Sequence, residues 1–217
     1  MKYNPDIHHR RSIRLKEYDY AQAGAYFVTI CTQGREGLFG EIKNGAMESN
    51  PAGRMVQTVW EGLPERFPDI ELDEFIIMPN HVHGIIVIVG APLVGARGSG
   101  ADGDKNRAGT RPAPTNARQQ NTTAAPPKPV LGEIVGIFKS ITTHEYVNGI
   151  TQNNWPPFPG RLWQRNYYEH IIRDEDSLNK IREYIIQNPL RWEYDLENTI
   201  GKPDGVERDF WKIFGQN

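Results

Sequence analysis

Two histidines separated by one residue are the first feature of this sequence that could do chemistry. His81 and His83 lie between two apolar runs, in the segment FIIMPNHVHGIIVI over residues 75–88. Alternate side chains of a strand project from the same face, so the two imidazoles would point the same way. Such a pair is half of a binding site for a divalent metal. The alternative is a pair of hydrogen-bonded or solvated histidines beside a hairpin, and the spacing alone leaves both open.

A tyrosine and an asparagine near the end of the chain form a second candidate group. Tyr184 and Asn188 are four residues apart in a segment with helical apolar spacing, so they would share one face. A phenol has a pKa of about 10, so as a nucleophile it needs an activated electrophile or a proton acceptor. A divalent ion held by His81, His83 and Asn188 would leave positions for phosphate and water, which suits Mg²⁺ or Mn²⁺ better than structural zinc. The alternative for Tyr184 is an aromatic at the edge of the core.

The composition excludes several classes of protein. The chain has 217 residues, a net charge of −2 and a mean hydropathy of −0.61, which predicts one soluble domain over residues 1–217. Without an overall basic field, any DNA binding has to rely on local patches. The only cysteine, Cys31, excludes an internal disulfide. No apolar stretch reaches the roughly 18 residues of a membrane span, and no signal peptide is evident, so a cytoplasmic protein is predicted.

Apolar periodicity predicts the order of helices and strands. Strands are predicted over residues 25–32, 70–78, 81–89 and 162–172, and helices over 51–67, 130–147 and 175–188. The first six elements follow the ferredoxin-like order β-α-β-β-α-β. The sequence therefore predicts an α+β domain with a four-stranded antiparallel sheet, followed by an extra helix that carries Tyr184.

Three segments fall outside this pattern. Residues 90–129 are rich in Gly, Ala, Pro and Thr, and are predicted to form a long flexible insertion, either a plain linker or a loose electrostatic tether for nucleic acid. The polar N-terminal segment carries Arg10, Arg11 and Arg14, and is either a solvated arm or one that contacts phosphates. Residues 190–217 are predicted to pack as an irregular C-terminal tail.

Several stretches resemble single-tyrosine HUH transposases of the insertion-sequence type, in particular the REP-associated tyrosine transposases. They are MPNHVH over 78–83, YIIQNP over 184–189, FVTI over 27–30, FKS over 138–140 and WQRNYYEHIIR over 163–173. The joint occurrence of the first two motifs in this order is specific to that family. The resemblance implies that His81 and His83 bind the catalytic metal, with Asn188 as the third ligand. It further implies that Tyr184 attacks single-stranded DNA to give a 5′-phosphotyrosine and a free 3′-hydroxyl.

The remaining predicted roles concern contacts with DNA. Lys139 and Arg165 are predicted to contact phosphates, although solvated helix or strand faces would explain both. Four aromatic residues are candidates for stacking on bases of a hairpin: Tyr26, Trp155, Phe158 and Trp163. Tyr167 and Tyr168 compete with Tyr184 for the nucleophile role, but neither has a ligand-type residue at helical spacing.

Together these features predict metal-dependent nicking and strand transfer on single-stranded or hairpin DNA, in transposition or in the processing of repeats. The protein is expected to act as a monomer or a homodimer. One alternative is a domesticated protein that binds DNA repeats with little or no cleavage. Another is a small-molecule metalloenzyme with a His-x-His strand, as in the all-β cupins, which the helical segments of this sequence disfavour.

Overall fold

The computed structural model of the protein describes residues 19–89 and 129–214. The strands are β1 (Gly24–Cys31), β2 (Gly40–Lys43), β3 (Ala46–Ser49), β4 (Ile70–Ile77), β5 (His81–Ile88) and β6 (Tyr168–Ile172). The helices are α1 (Pro51–Glu61), α2 (Leu63–Arg66), α3 (Leu131–Asn153), α4 (Glu175–Gln187) and α5 (Gly205–Phe214). Among the described helices, none is both long and apolar enough to cross a membrane.

The central sheet has four strands in the order β4-β5-β1-β6, and every neighbouring pair is antiparallel. The two strands next to each other in sequence, β4 and β5, form a hairpin, whereas β1 lies between β5 and β6. This is the ferredoxin-like order, so the predicted α+β class with a four-stranded antiparallel sheet is confirmed. A separate hairpin of β2 and β3 follows β1, at the glycine-rich segment of the sequence.

Two apolar layers cover the sheet, one on each face. Because strand side chains alternate, Val28 of β1 and Val82 of β5 belong to one layer, which includes residues of α1, α2 and α3. Phe27 and Ile85 point the other way and pack with apolar residues of α4 and α5. The extra helix predicted at the C-terminal side therefore lies on the opposite face from α1 and α3.

Local packing explains one glycine beside the histidines. The indole of Trp60, in α1, lies so close to Gly84 of β5 that a Cβ there would overlap the Trp60 ring. Trp60 also stacks on Phe75 of β4, with ring centroids 4.5 Å apart. Position 84 thus has room for glycine alone while the indole keeps this place.

Four segments differ from their predicted extents. The helix predicted over 130–147 continues to Asn153, six residues beyond the predicted end. The helix predicted over 51–67 ends at Glu61, and α2 begins after Gly62, where Pro64 lacks the N–H that would continue the first helix. The strand predicted over 162–172 is shorter, since pairing with β1 begins only at Tyr168. The prediction of an irregular tail was wrong, because residues 188–194 form a 3₁₀ segment and α5 follows.

Candidate active site

The two histidines lie side by side on the face of the sheet that α4 and α5 cover. Both imidazoles are fully buried, and their Nε2 atoms are 3.0 Å apart. The strand alternation that predicted a shared face is therefore confirmed. The Nδ1 atom of His83 is 2.8 Å from the hydroxyl oxygen of Thr29, directly across on β1.

Asn80 fixes the orientation of the His81 ring. Its amide nitrogen donates to the backbone carbonyls of Arg35 (3.2 Å) and Glu197 (2.8 Å), so its amide oxygen faces His81. That oxygen lies 2.8 Å from His81 Nδ1, which must carry the hydrogen of this bond. The lone pair of a neutral His81 is then on Nε2, directed at His83. This is the tautomer that a metal ligand requires.

Burial also determines the charge of His81. With no solvent contact, the imidazolium form is disfavoured, and the pKa of His81 falls to about 4, although the charge of Asp195 opposes the shift. His81 is therefore neutral at physiological pH. A neutral imidazole with its lone pair inward needs no proton loss before it binds a cation.

Asp195 is a third group at this site that sequence reasoning missed. Its Oδ2 atom lies 3.8 Å from His81 Nε2 and 4.0 Å from His83 Nε2, and the residue is 1% exposed. Burial alone would raise the pKa of its carboxyl, but the histidines and a hydrogen bond from Asn188 hold it below its usual range. A buried carboxylate thus faces two imidazoles. No spacing in the sequence marks it, since it follows the 3₁₀ segment after α4.

Asn188, the predicted third ligand, lies at the same site. Its amide nitrogen donates to Asp195 Oδ2 at 2.6 Å. Its amide oxygen is buried and has no hydrogen-bond partner within residues 19–89 and 129–214. An orphaned carbonyl oxygen beside a carboxylate is an available donor for a hard cation. Its role as a ligand stays a prediction.

These donors fit a divalent metal. Ligand atoms of His81, His83 and Asp195 all lie within 4.8 Å of one another, and no other such group of His, Cys, Asp or Glu occurs in the described part of the chain. Two nitrogen donors and a carboxylate, with the Asn188 oxygen nearby, form a mixed N/O set. Such a set suits several divalent metals, and the donors alone do not identify the ion.

The Tyr184 side chain extends from α4 to this cluster. Its ring centroid is 5.3 Å from that of His83, and the phenol lies edge-on to Phe27 of β1. The helix begins at the predicted N-cap, Asp174, whose carboxylate accepts a hydrogen bond from the Ser177 backbone at 2.7 Å. Ile181 and Ile185 fix its rotation by packing on the sheet, which turns Tyr184 towards the histidines.

Helix α5 supplies the remaining contacts of the phenol, which the sequence did not indicate. The Tyr184 hydroxyl donates to Glu207 Oε1 at 3.1 Å, and the Phe210 ring stacks on the phenol with centroids 3.7 Å apart. Burial, with the nearby charges of Asp195 and Glu207, raises the pKa of Tyr184 well above its usual value. The phenol is thus protonated at neutral pH and hydrogen-bonded to a carboxylate.

The rival tyrosines are placed differently. Tyr168 is on β6 opposite Thr29, with its ring 5.2 Å from that of Trp211 in α5. Tyr167 lies beneath the Lys139 ammonium, 5.2 Å from the ring centroid, and packs against the layer that contains α3. Of the three tyrosines, Tyr184 is the one whose ring lies against a histidine of the cluster.

The two described residues predicted to contact phosphates lie on the α3 side. The Lys139 ammonium is directed at the backbone carbonyls of residues 164–166, at 3.0 to 3.5 Å, and burial lowers its pKa to about 8. Arg165 is exposed and lines an open groove with His144 and Arg161. Lys139 therefore positions the segment that carries Arg165, and a phosphate contact by either residue stays a prediction.

Other predicted DNA contacts have mixed outcomes. Tyr26 and Trp163 are buried in the core, at 0% and 4% exposure, so the prediction that they stack on bases was wrong. Trp155 and Phe158 are half-buried against Tyr146. The predictions for Arg10, Arg11, Arg14 and almost all of the 90–129 insertion lie outside the described residues.

Comparison with known proteins identifies a relative. No protein-family model matches the chain. An uncharacterized protein of Haemophilus influenzae strain Rd is 43% identical over 194 residues, which cover 89% of this chain and 96% of the relative. This chain belongs to the family of that protein. The similarity extends over most of the length of both proteins.

Two solved structures are similar to this family member. One is a REP-associated tyrosine transposase bound to a REP hairpin, with 16% identity, a TM-score of 0.48, and coverage of 82% of this chain and 73% of that one. The other is a "putative transposase" from Deinococcus radiodurans R1, with 14% identity, a TM-score of 0.40, and coverage of 80% and 96%.

Proposed function

We propose that this protein is a metal-dependent tyrosine nuclease and strand transferase that acts on single-stranded or hairpin DNA. The observation that carries the proposal is the position of the Tyr184 phenol beside a buried cluster of two histidines and a carboxylate. A tyrosine next to a cation site is the arrangement that covalent attack on a phosphodiester requires. The motifs around both groups resemble those of single-tyrosine HUH transposases, which agrees with this chemistry.

Each residue of the site has a defined task in the proposal. His81 and His83 hold a divalent ion together with Asp195, Asn188, or both. When bound, Mg²⁺ or Mn²⁺ supplies Lewis-acid stabilisation of charge on the phosphate. Tyr184 provides the oxygen that bonds to phosphorus, so that the 5′ end of the strand becomes attached to the protein. Asn80 and Thr29 fix the imidazole orientations before DNA arrives.

The groove beside α3, which is on the other side of the sheet from the metal cluster, is a candidate surface for contacts with DNA away from the cleaved phosphodiester. It is lined by the exposed cationic side chains Arg161 and Arg165, with His144 and the hydroxyl groups of Ser140 and Thr143 alongside. Since the whole chain carries a net charge of −2, attraction for phosphates has to come from such local clusters. Sedimentation of the protein with hairpin DNA distinguishes a monomer from a homodimer.

A second candidate function is DNA binding with little or no cleavage, as in a domesticated repeat-binding protein. One observation favours it. The Tyr184 hydroxyl is directed at Glu207, and the ring lies under Phe210, so the nucleophile is covered by α5. A protein that had lost its chemistry while it retained the fold would tolerate such a cover.

Incubation with labelled hairpin and single-stranded DNA in Mn²⁺ or Mg²⁺ tests the proposal. The wild-type protein should form a covalent adduct that survives denaturing electrophoresis, and Tyr184→Phe should abolish it while DNA binding is retained. Tyr168→Phe, the matched control on β6, should leave the adduct intact. His81→Ala should lose cleavage as well. Hairpin binding without adduct in any metal would favour the second function, and an adduct that persists in Tyr184→Phe would refute the assignment of the nucleophile.

A further inference from the structure

One carboxylate outside the metal cluster touches the proposed nucleophile directly. Glu207, on the first turn of α5, is 1% exposed, and its Oε1 atom accepts the hydrogen bond from the Tyr184 hydroxyl. The same oxygen accepts from the Leu196 backbone N–H at 3.0 Å and from the Trp211 indole N–H at 2.8 Å. The side chain is thus held by three donors from three parts of the chain.

We propose that Glu207 is the proton acceptor for Tyr184 when the phenol attacks DNA. This inference rests on the proposed function and names the residue that makes its nucleophile reactive. A phenol that keeps its proton is a weak nucleophile, so the proton has to move to a base within hydrogen-bond reach. Among the described residues, Glu207 is the one to which the Tyr184 hydroxyl donates.

The proposed step balances without any further reactant. The Tyr184 oxygen forms a bond to phosphorus while its proton passes to Glu207 Oε1. The bond between phosphorus and the 3′ oxygen of the preceding nucleotide breaks, and the electron pair stays on that oxygen. The proton on Glu207 then neutralises it as a 3′-hydroxyl. In the rejoining reaction the same carboxylate takes the proton back from the 3′-hydroxyl, so one group serves both directions.

The surroundings of Glu207 suit a base. Burial raises the pKa of its carboxyl, and the negative charge of Asp195 adds to that effect, so the carboxylate is a stronger base than one in water. The titratable groups that face it are Tyr184 from α4 and Asp195 from the segment after the 3₁₀ turn. The two neutral N–H donors keep it in place when the phenolic proton leaves.

Its anchoring also connects the base to the metal cluster. The Leu196 N–H that binds Glu207 belongs to the residue after Asp195, whose carboxylate faces both histidines. The backbone between the two residues therefore sets the distance from the base to the cation site.

The deciding experiment compares Glu207→Gln with wild type in single-turnover adduct formation on labelled hairpin DNA at saturating Mn²⁺. Glutamine can accept from the same two N–H donors but cannot take up the proton, so the adduct rate should fall by about 10²- to 10⁴-fold. Glu207→Asp, which keeps a carboxylate on a shorter chain, should recover part of the rate. Asp209→Asn, on the same helix but exposed, is the matched control and should react like wild type.

The dependence of the rate on pH separates a base from a structural contact. If Glu207 takes the proton, the wild-type rate at saturating Mn²⁺ should fall at acidic pH more steeply than metal loss alone explains, because the Glu207 carboxyl becomes protonated. Glu207→Gln should lose this additional fall and keep only the part that follows Mn²⁺ occupancy. If adducts form in Glu207→Gln as fast as in wild type, or faster, the carboxylate only holds the phenol in place by a hydrogen bond. That result would overturn the inference. The absence of adducts in wild type would instead defeat the proposed function and this inference together.

Discussion

The stability of the metal-free protein should fall between pH 7 and about pH 4 because of one buried imidazole. In the unfolded chain His81 has its ordinary pKa of 6.5, whereas in the fold the value is about 4, chiefly through burial. Each pKa unit corresponds to about 1.4 kcal/mol, so the difference amounts to about 3 kcal/mol of unfolding free energy. His81 is fully buried, and solvent screening does not reduce this figure.

The direction of the stability change with pH follows from which state, folded or unfolded, binds the proton. Between about pH 6.5 and pH 4 the unfolded chain protonates His81 and the folded protein does not, so stability is lost as the pH falls through this window. His170, whose pKa is also lowered by burial, acts in the same direction. Glu207, whose pKa is raised, acts in the opposite direction. A comparison of wild type with His81→Gln isolates the contribution of His81.

Urea unfolding in EDTA, followed by tryptophan fluorescence at a series of pH values, measures this contribution. Wild type should lose about 3 kcal/mol more than His81→Gln across the window. Saturating Mn²⁺ should flatten the wild-type curve, because a bound cation competes with protons for the His81 imidazole. Equal losses in the two proteins would refute the inference that His81 is neutral, buried and ready to bind a metal.

Two further predictions concern the metal ligands and the sheet. Asp195→Asn should weaken Mn²⁺ binding by at least about tenfold in calorimetry, since it removes the carboxylate charge of the cluster. The control Asp209→Asn, at an exposed position, should leave the affinity unchanged. Equal Mn²⁺ affinities of wild type and Asp195→Asn would show that Asp195 is not a ligand. Gly84→Ala should lower the free energy of unfolding by about 1–3 kcal/mol, because the new methyl meets the Trp60 ring. Its control, Gly136→Ala, faces open space in α3 and should stabilise by up to about 1 kcal/mol, so a tolerated Gly84→Ala would show that the indole moves aside easily.

Local periodicity predicted the part of the molecule that is built from regular elements. Alternation along β5 predicted that His81 and His83 share a face, and helical spacing in α4 predicted that Tyr184 and Asn188 lie together. Both signals are local, because neighbouring side chains in one element have a fixed relation. The order of elements then predicted the sheet, since the ferredoxin-like order with antiparallel pairing leaves few arrangements of four strands.

The carboxylates of the site could not be predicted in this way. Asp195 follows a 3₁₀ segment, where side-chain direction depends on tertiary contacts such as the hydrogen bond from Asn188. Glu207 is on α5, whose apolar residues Phe210, Trp211 and Phe214 do have helical spacing. The spacing of these apolar residues would have predicted α5, in a segment that was instead predicted to be irregular. Helical spacing would still not have predicted which acidic residue of α5 faces the Tyr184 phenol, because that depends on how the helix packs against the sheet.

The contact between Trp60 and Gly84 has a consequence for how this family can change. Gly84 immediately follows His83 on β5, and the indole presses on the strand from the reverse side of the sheet. A larger or smaller ring at position 60 would shift the backbone of β5 and, with it, the angle at which the neighbouring imidazole points. A substitution at position 60, on the other face of the sheet, could therefore change which metal the site prefers although all ligand residues stay the same.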